Sequence, residues 1–264
     1  MAHENPPGDR IAKVLARRGI GSRREIERMI DAGRIVVDCK TITSPALNVT
    51  GNEDIKVDGA PVAEQEPARL WRYHKPAGLV TTTKDEKGRE TIFDALPPEL
   101  PRVMSVGRLD LTSEGLLLLT NDGELKRKLE LPSTGWLRKY RVRIKGEPQE
   151  EALEPLRKGI TVDGTRYQPM DIALDRQQGQ NAWLTIGLRE GKNREIRRAM
   201  ESLGFPVNRL IRVSYGPFRL GDIKRGDVLE VPARVLRDQL GLGGQAAEKQ
   251  AKSRRKPAVK RKRR

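Results

Sequence analysis

Four consecutive leucines, Leu116 to Leu119, constrain this chain more than any other stretch, because a run so apolar must be buried in a core. Directly before it stand Gly107-Arg108-Leu109-Asp110 and Ser113-Glu114-Gly115. A single carboxylate, Asp110, is thereby placed beside a core element with a basic neighbour. Burying an unpaired carboxylate costs several kcal/mol, so aspartate is rarely put there without a partner. Two readings are open. Spacing alone favours a structural ion pair; the other reading is a partly desolvated nucleophile kept ionised by a nearby cation.

The chain's 264 residues suggest one or two domains with ample length for a core. Lys plus Arg number 52 against 36 Asp plus Glu, a formal charge of +16, which favours a polyanionic partner, nucleic acid above all. An anionic membrane is the lesser alternative, because no basic amphipathic helix with an aromatic-rich face occurs. Ten of the bases fall between Lys249 and Arg264 with no acid among them. That tail is expected to be disordered, to hang on the joint Gly241 to Gly244, and to clamp phosphates without reading sequence. Met1 to Arg10 has no apolar core of a secretory signal, and no run approaches the roughly 18 residues of a membrane span. Cys39 is the single cysteine, so no disulfide forms within the chain and a cytoplasmic protein is expected.

Near the N-terminus, Ile11, Val14 and Leu15 recur at helical spacing up to Gly19-Ile20-Gly21. Ser22 with Glu25 three residues later reads as a capping box, opening a second helix with Ile26, Met29 and Ile30 on one face. Arg17, Arg18, Arg23, Arg24 and Arg28 crowd the outer surface of these helices. A DNA-reading helix-turn-helix looks the same up to this point. The strands expected at Arg34 to Val37 and Ile55 to Val57, before the Asp58-Gly59 turn, argue against it. This α-α-β order with arginines on the second helix resembles the S4-like RNA-binding module, over about residues 9–61. Asp38-Cys39 stands where that module usually has an Asn-Gly hairpin turn, so a reshaped loop is expected there.

Glu64-Gln65-Glu66-Pro67 is polar and aperiodic and reads as a linker. Beyond it, Leu70 to Tyr73 reads as a strand, and Lys75-Pro76-Ala77-Gly78 as a turn leading into Leu79 to Thr83. Asn121-Asp122-Gly123 marks a turn before a short helix through Leu129. Tyr140, Val142 and Ile144 alternate with Arg141, Arg143 and Lys145 in a half-buried strand with a basic outer face. Glu150 to Lys158 reads as a helix despite Pro155, and Ala182, Leu184, Ile186 and Leu188 mark another alternating strand. Hairpin returns and uneven helix placement favour an α+β fold with a mixed or antiparallel sheet over a doubly wound one.

A second functional segment runs Leu188-Arg189-Glu190-Gly191-Lys192-Asn193-Arg194-Glu195-Ile196-Arg197-Arg198. As a helix over Asn193 to Leu203, it gathers Ile196, Ala199, Met200 and Leu203 on one face. Arg194 and Arg198 then lie opposite, toward solvent or phosphate, and Arg197 sits at the border, within reach of a buried carboxylate such as Asp110. An ordinary amphipathic helix with solvated arginines fits the same pattern.

Together, Gly107 to Asp110 with Gly115 to Gly123, Arg138-Lys139-Tyr140, and Gly191 to Arg198 resemble the three characteristic motifs of RNA pseudouridine synthases of the small-subunit/large-subunit rRNA group. Lys75-Pro76-Ala77-Gly78 is similar to a loop found there too, and Ser113 stands where Thr is commoner. The S4-like front end and basic tail resemble the large-subunit (23S) rRNA branch. The resemblance implies an S4-like domain at 9–63, a pseudouridine synthase catalytic domain at 68–240 and a basic tail at 241–264. It implies an isomerase of uridine in ribosomal RNA, with Asp110 as the essential carboxylate. Tyr140 would stack on the target uracil and serve in proton removal, and Arg197 would pair with Asp110. Arg108, Leu188 and Ile196 would line the pocket, and Arg17, Arg18, Arg23, Arg24, Arg28, Lys192, Arg194 and Arg198 would bind RNA. A monomer working without cofactor or metal is expected, since isomerisation has no net redox or hydrolysis and His3, His74 and Cys39 lack zinc spacing. Attack on C1′ and abstraction of the 2′ proton both remain open. Two other classes fit the basic surfaces: a non-catalytic ribosome-assembly factor, and a DNA-binding regulator that leaves the central motifs unexplained.

Overall fold

After a two-residue strand, Asp9–Arg10, that pairs with Asn48–Val49, two short helices, α1 (Ile11–Arg17) and α2 (Arg23–Asp31), begin the described chain, residues 8–240 of the computed structural model. The basic tail and its glycine joint lie outside those residues. The Ser22 hydroxyl accepts from the Glu25 N–H at 3.2 Å, and the Glu25 carboxylate accepts from the Ser22 N–H at 2.6 Å, so both halves of the capping box form. Ile11, Leu15, Ile26 and Ile30 are buried against the strands β1 (Ile35–Val37) and β3 (Ile55–Val57), while Val14 and Met29 stay at the rim. With β2 (Lys40–Thr41) and β4 (Ala60–Pro61) these strands make a sheet in the order β2-β1-β3-β4. The Asp38-Cys39 loop is not reshaped. Both residues take left-handed backbone, φ 46° and 64°, as a two-residue hairpin turn requires. Asp38 tolerates this because its carboxylate accepts the Asp54 N–H at 3.0 Å, a bond glycine could not offer.

Glu64 to Pro67 are exposed and belong to no element. The larger unit is built on one mixed sheet. Its main strands are β5 (Leu70–Lys75), β6 (Met104–Val106), β7 (Glu114–Thr120), β8 (Arg138–Lys145), β9 (Asp171–Gln178), β10 (Asn181–Leu188), β11 (Val207–Tyr215) and β12 (Val228–Glu230), and a two-residue strand, Phe218–Arg219, pairs with the end of β11. The path is β9-β10-β8-β11-β7-β5-β12, with β6 beside β7. Neighbours run antiparallel except β7 and β11, where Glu114 faces Ile211 and Gly115 faces Arg212 in parallel register. The α+β fold with a mixed sheet is therefore the one expected.

Side chains of a strand alternate between faces, so the leucine run fills two cores. Leu117 and Leu119 join Tyr73, Tyr140, Val142, Leu184 and Ile186 under α4 (Glu150–Lys158) and α5 (Glu195–Ser202). Leu116 and Leu118 join Leu125 and Leu129 of α3 (Gly123–Glu130) and Leu236 of α6 (Ala233–Gln239) on the other face. All four leucines are fully buried, worth roughly 1.5–3 kcal/mol of transfer free energy each. The segment Leu79 to Thr83 adds no strand to the sheet: Leu79 plugs the first core, Val80 makes one bridge to Thr91, and the Thr81 hydroxyl donates to the Leu109 carbonyl at 2.8 Å.

The parallel pair depends on Gly115, which sits at φ +104°; a Cβ there would meet the Arg212 backbone, 2.7 Å from its nitrogen. Gly115→Ala is expected to destabilise the protein by roughly 3 kcal/mol, since neither the backbone angle nor the strand spacing can give. Urea unfolding checks this; a loss below about 1 kcal/mol would mean that β7 and β11 separate easily.

Candidate active site

Asp110 lies half-buried in the loop that joins β6 to β7, and the surrounding chain grips this loop by its backbone. The Gly78 N–H donates to the Leu111 carbonyl at 2.8 Å. Lys75, fully buried, donates to the carbonyls of Ser113 and Pro76, both at 2.9 Å, and of Asp110 at 3.3 Å. Three acceptors match the three N–H bonds of an ammonium group. Burial pushes the Lys75 ammonium down to about 8, against the fields of Asp110 and Glu114. Among the described residues no side chain binds the Asp110 carboxylate, although its backbone carbonyl is engaged.

Arg197 differs from expectation in its partners. It is 9 % exposed, donating to the carbonyls of Thr112 and Val207, each at 3.0 Å, rather than closing an ion pair on Asp110. The border position does carry the side chain inward, but the nearest acceptors there are main-chain oxygens of the Asp110 loop and of β11. Burial lowers the arginine's pKa, as does neighbouring Arg194, while the field of Asp110 opposes both.

A cleft of about 620 Å³ opens over this loop, lined by Asp110, Arg108, Tyr140, Leu188, Ile196 and Arg194 together with Lys192. Tyr140, 8 % exposed, is set by a bulge between Lys139 and Tyr140 in the β8/β11 pairing. Such a bulge re-aims a side chain beside a site. Arg194 does not belong to the helix. It precedes α5 with left-handed backbone, φ 51° and ψ 29°, and presents its exposed side chain to the cleft. Arg198 is exposed on α5 outside the cleft lining. Of the front-unit arginines, Arg23, Arg24 and Arg28 are exposed and Arg18 half-buried. Arg17 is held apart from them, paired with Asp9 at 2.8 Å and with Glu124 of α3, where Lys13 also binds at 2.9 Å.

Four further residues shape the site, three of them inside motifs read from the sequence but none given a role of its own there. Lys75 is one. Arg138 donates to the Arg189 carbonyl at 3.1 Å and lies 4.7 Å from the Tyr215 ring centroid, tying the 189–194 turn to β11. Arg212 is buried and donates to the Leu116 carbonyl at 2.7 Å. Glu195 is 3 % exposed; one carboxyl oxygen accepts the Lys192 N–H at 3.0 Å and the carboxyl adjoins that of Glu190. Burial is what sets Lys75, Arg212 and Glu195 apart, and each owes it to packing against elements distant in the chain.

Burial, then the adjoining Glu190, push the Glu195 carboxyl up to about 8. Burial also works against the Glu190 charge, but the Gln168 N–H and Lys192 hold it low. A carboxyl raised from about 4.3 favours its neutral form in the fold. Its stabilisation is fully present below about pH 4.3 and is lost as pH rises through about 8. Wild-type stability, read by urea unfolding from pH 5 to 9, should fall by at least about 1 kcal/mol more than that of Glu195→Gln. Equal pH profiles would mean that Glu195 is ionised in the fold.

The sequence matches the RNA pseudouridylate synthase family over residues 69–202 and the S4 domain over residues 9–55. It is 45 % identical over 231 residues to an uncharacterized RNA pseudouridine synthase of Rickettsia prowazekii, covering 88 % of this chain and 97 % of that one. It is 39 % identical over 252 residues to the ribosomal large subunit pseudouridine synthase B of Haemophilus influenzae, covering 92 % of this chain and 71 % of that one. A crystal structure of a pseudouridylate synthase shares the fold at a TM-score of 0.62 and 20 % identity, over 88 % of this chain and 99 % of that one. The chain belongs to the RNA pseudouridine synthase family. It is an enzyme that isomerises uridine in RNA, with an S4 RNA-binding domain ahead of the catalytic part. No helix of the described residues is long and apolar enough to cross a membrane.

Proposed function

We propose that this enzyme converts a uridine of large-subunit (23S) ribosomal RNA to pseudouridine, with Asp110 as the essential carboxylate. One observation carries the assignment. The backbone of the Asp110 loop is bound from several sides, while its carboxylate stands unclaimed at a cleft lined by cations and an aromatic ring. The likeness to large-subunit synthases of Haemophilus and Pasteurella supports the choice of RNA.

In this reading the target nucleotide leaves its stack and enters the cleft, and the Tyr140 ring replaces the lost stacking at about 1–3 kcal/mol. Leu188 and Ile196 wall the base. Asp110 attacks C1′ or removes the 2′ proton, and the N1–C1′ bond breaks. Uracil turns within the pocket and C5 bonds to C1′, which releases the Asp110 carboxylate from C1′ in the first route or is accompanied by return of the proton from Asp110 to C2′ in the second. The C5 proton then leaves with Tyr140 as acceptor and N1 regains a proton, so atoms balance without a cofactor. Arg197 acts at one remove, holding the Thr112 carbonyl and adding positive field at Asp110. Arg108, Lys192 and Arg194 take phosphates around the cleft; Arg18, Arg23, Arg24 and Arg28 take them on the S4 domain and Arg198 on α5. Arg17 serves instead to bind the front unit to α3 through Glu124. The domains are taken as 9–63 and 68–240, the enzyme as a monomer, and its place of action as the cytoplasm.

The test is to map pseudouridines in 23S rRNA by carbodiimide labelling in cells lacking this protein. One site should disappear and return with the wild-type gene but not with Asp110→Asn. An unchanged map would contradict the choice of RNA.

A further inference from the structure

Tyr140, Leu188 and Ile196 put the cleft on the first-core side of the sheet, with its rim reaching Lys126 and Glu130 of α3, and the opposite face is of two kinds. Behind β7 and β5 it is covered by α3 and α6. Behind β8 and β10 it presents alternate residues to solvent: Lys139, Arg141, Arg143 and Lys145 from β8, Trp183 and Thr185 from β10. Register sets Arg143 directly between Trp183 on one neighbouring strand and Arg209 on the other. Like charges facing each other across strands repel. Glu114 neutralises Arg209, at 2.5 and 3.1 Å, and among the described residues Arg143 is left without a counter-ion. The Arg143 Nε is shielded from solvent yet has no hydrogen-bond partner among the described residues. Arg141 lies over the Trp183 ring, 4.9 Å from its centroid, and likewise forms no ion pair among the described residues. Of the acids on this side, Asp175 takes a hydrogen bond from the Thr185 hydroxyl at 3.0 Å, and Asp171 stands at the far end of β9, opposite Gly187.

Alternate residues on a strand are about 6.8 Å apart, so the four cations of β8 draw a line of about 20 Å. That repeat is close to the separation of successive phosphates in an extended single strand. A half-buried indole under a guanidinium offers a stacking place to an unpaired base and none to a paired one. We propose that this open sheet face is a second RNA-contact surface, behind the uridine cleft, which takes a single-stranded segment of the substrate RNA with phosphates along β8 and one base at Arg141 and Trp183. The inference goes beyond the choice of target uridine and does not depend on which RNA carries it.

The experiment compares the shortest RNA hairpin that the full-length enzyme modifies with the same hairpin carrying a single-stranded flank of about ten nucleotides. The protein variant is Arg141→Gln with Arg143→Gln, neither residue lining the cleft. Affinity for the flanked RNA should fall about tenfold, and its slope of log affinity against log salt should shrink by about 1.4, at roughly 0.7 per phosphate contact. Affinity for the bare hairpin and the single-turnover rate at saturation should stay within about twofold. An equal loss on both RNAs, no loss on either, or equal binding of a flank made double-stranded would overturn the proposal. Should the variant fold poorly, wild-type enzyme can be photo-cross-linked to a flank carrying 4-thiouridine. Adducts on Lys139, Arg141, Arg143, Lys145, Trp183 or Thr185 support the surface; adducts confined to the cleft or the S4 domain refute it.

Discussion

Asp110→Asn should lower single-turnover pseudouridine formation by about 10³-fold or more while leaving RNA affinity within about threefold. The amide nearly matches the carboxylate in shape but is neither an anionic nucleophile nor a base. Affinity should hold because phosphate contacts come from other surfaces. The structure adds a third expectation. Because the Asp110 carboxylate has no side-chain partner among the described residues, its loss should leave folding stability within about 0.5 kcal/mol. A structural ion pair, the other reading of the sequence, requires destabilisation instead, so thermal unfolding of the variant separates the two.

Arg197→Ala should act in the opposite way. Its guanidinium satisfies the Thr112 and Val207 carbonyls in a part-buried place, and each acceptor left bare costs about 1–3 kcal/mol. A loss of roughly 3 kcal/mol is expected, together with a slower reaction, since the Asp110 loop loses one of its ties. Arg194→Ala removes an exposed side chain at the mouth of the cleft, so it should weaken RNA binding several-fold with stability unchanged. If both variants show the same pattern of stability and affinity, the different duties given to these arginines are wrong.

How legible these features were depended on how local their causes are. The capping box of Ser22 and Glu25, the alternation of Tyr140, Val142 and Ile144, and the leucine run all follow from contacts within a few residues or from strand period. Helix periodicity put Arg197 at a border and so gave its direction correctly. It could not give the partner, because the Thr112 and Val207 carbonyls are brought there by β7 and β11. The same limit hid Lys75, whose motif was recognised but whose burial under three carbonyls is a tertiary fact. Arg17 carries the same charge as Arg18 in sequence, and only the docking of α1 beside Glu124 distinguishes them. At Asp38-Cys39 the expectation of a reshaped loop underestimated how well aspartate tolerates left-handed backbone when its carboxylate finds an N–H.

Tritium release from rRNA labelled at C5 of uridine tests the central claim most directly, because forming the C5–C1′ bond expels the C5 hydrogen. Purified wild-type enzyme with a 23S rRNA transcript should release one equivalent of tritium per modified site, without added metal or cofactor, and Asp110→Asn should release none above background. Release by Asp110→Asn at a rate near wild type, or none by wild-type enzyme that binds the transcript, would contradict it.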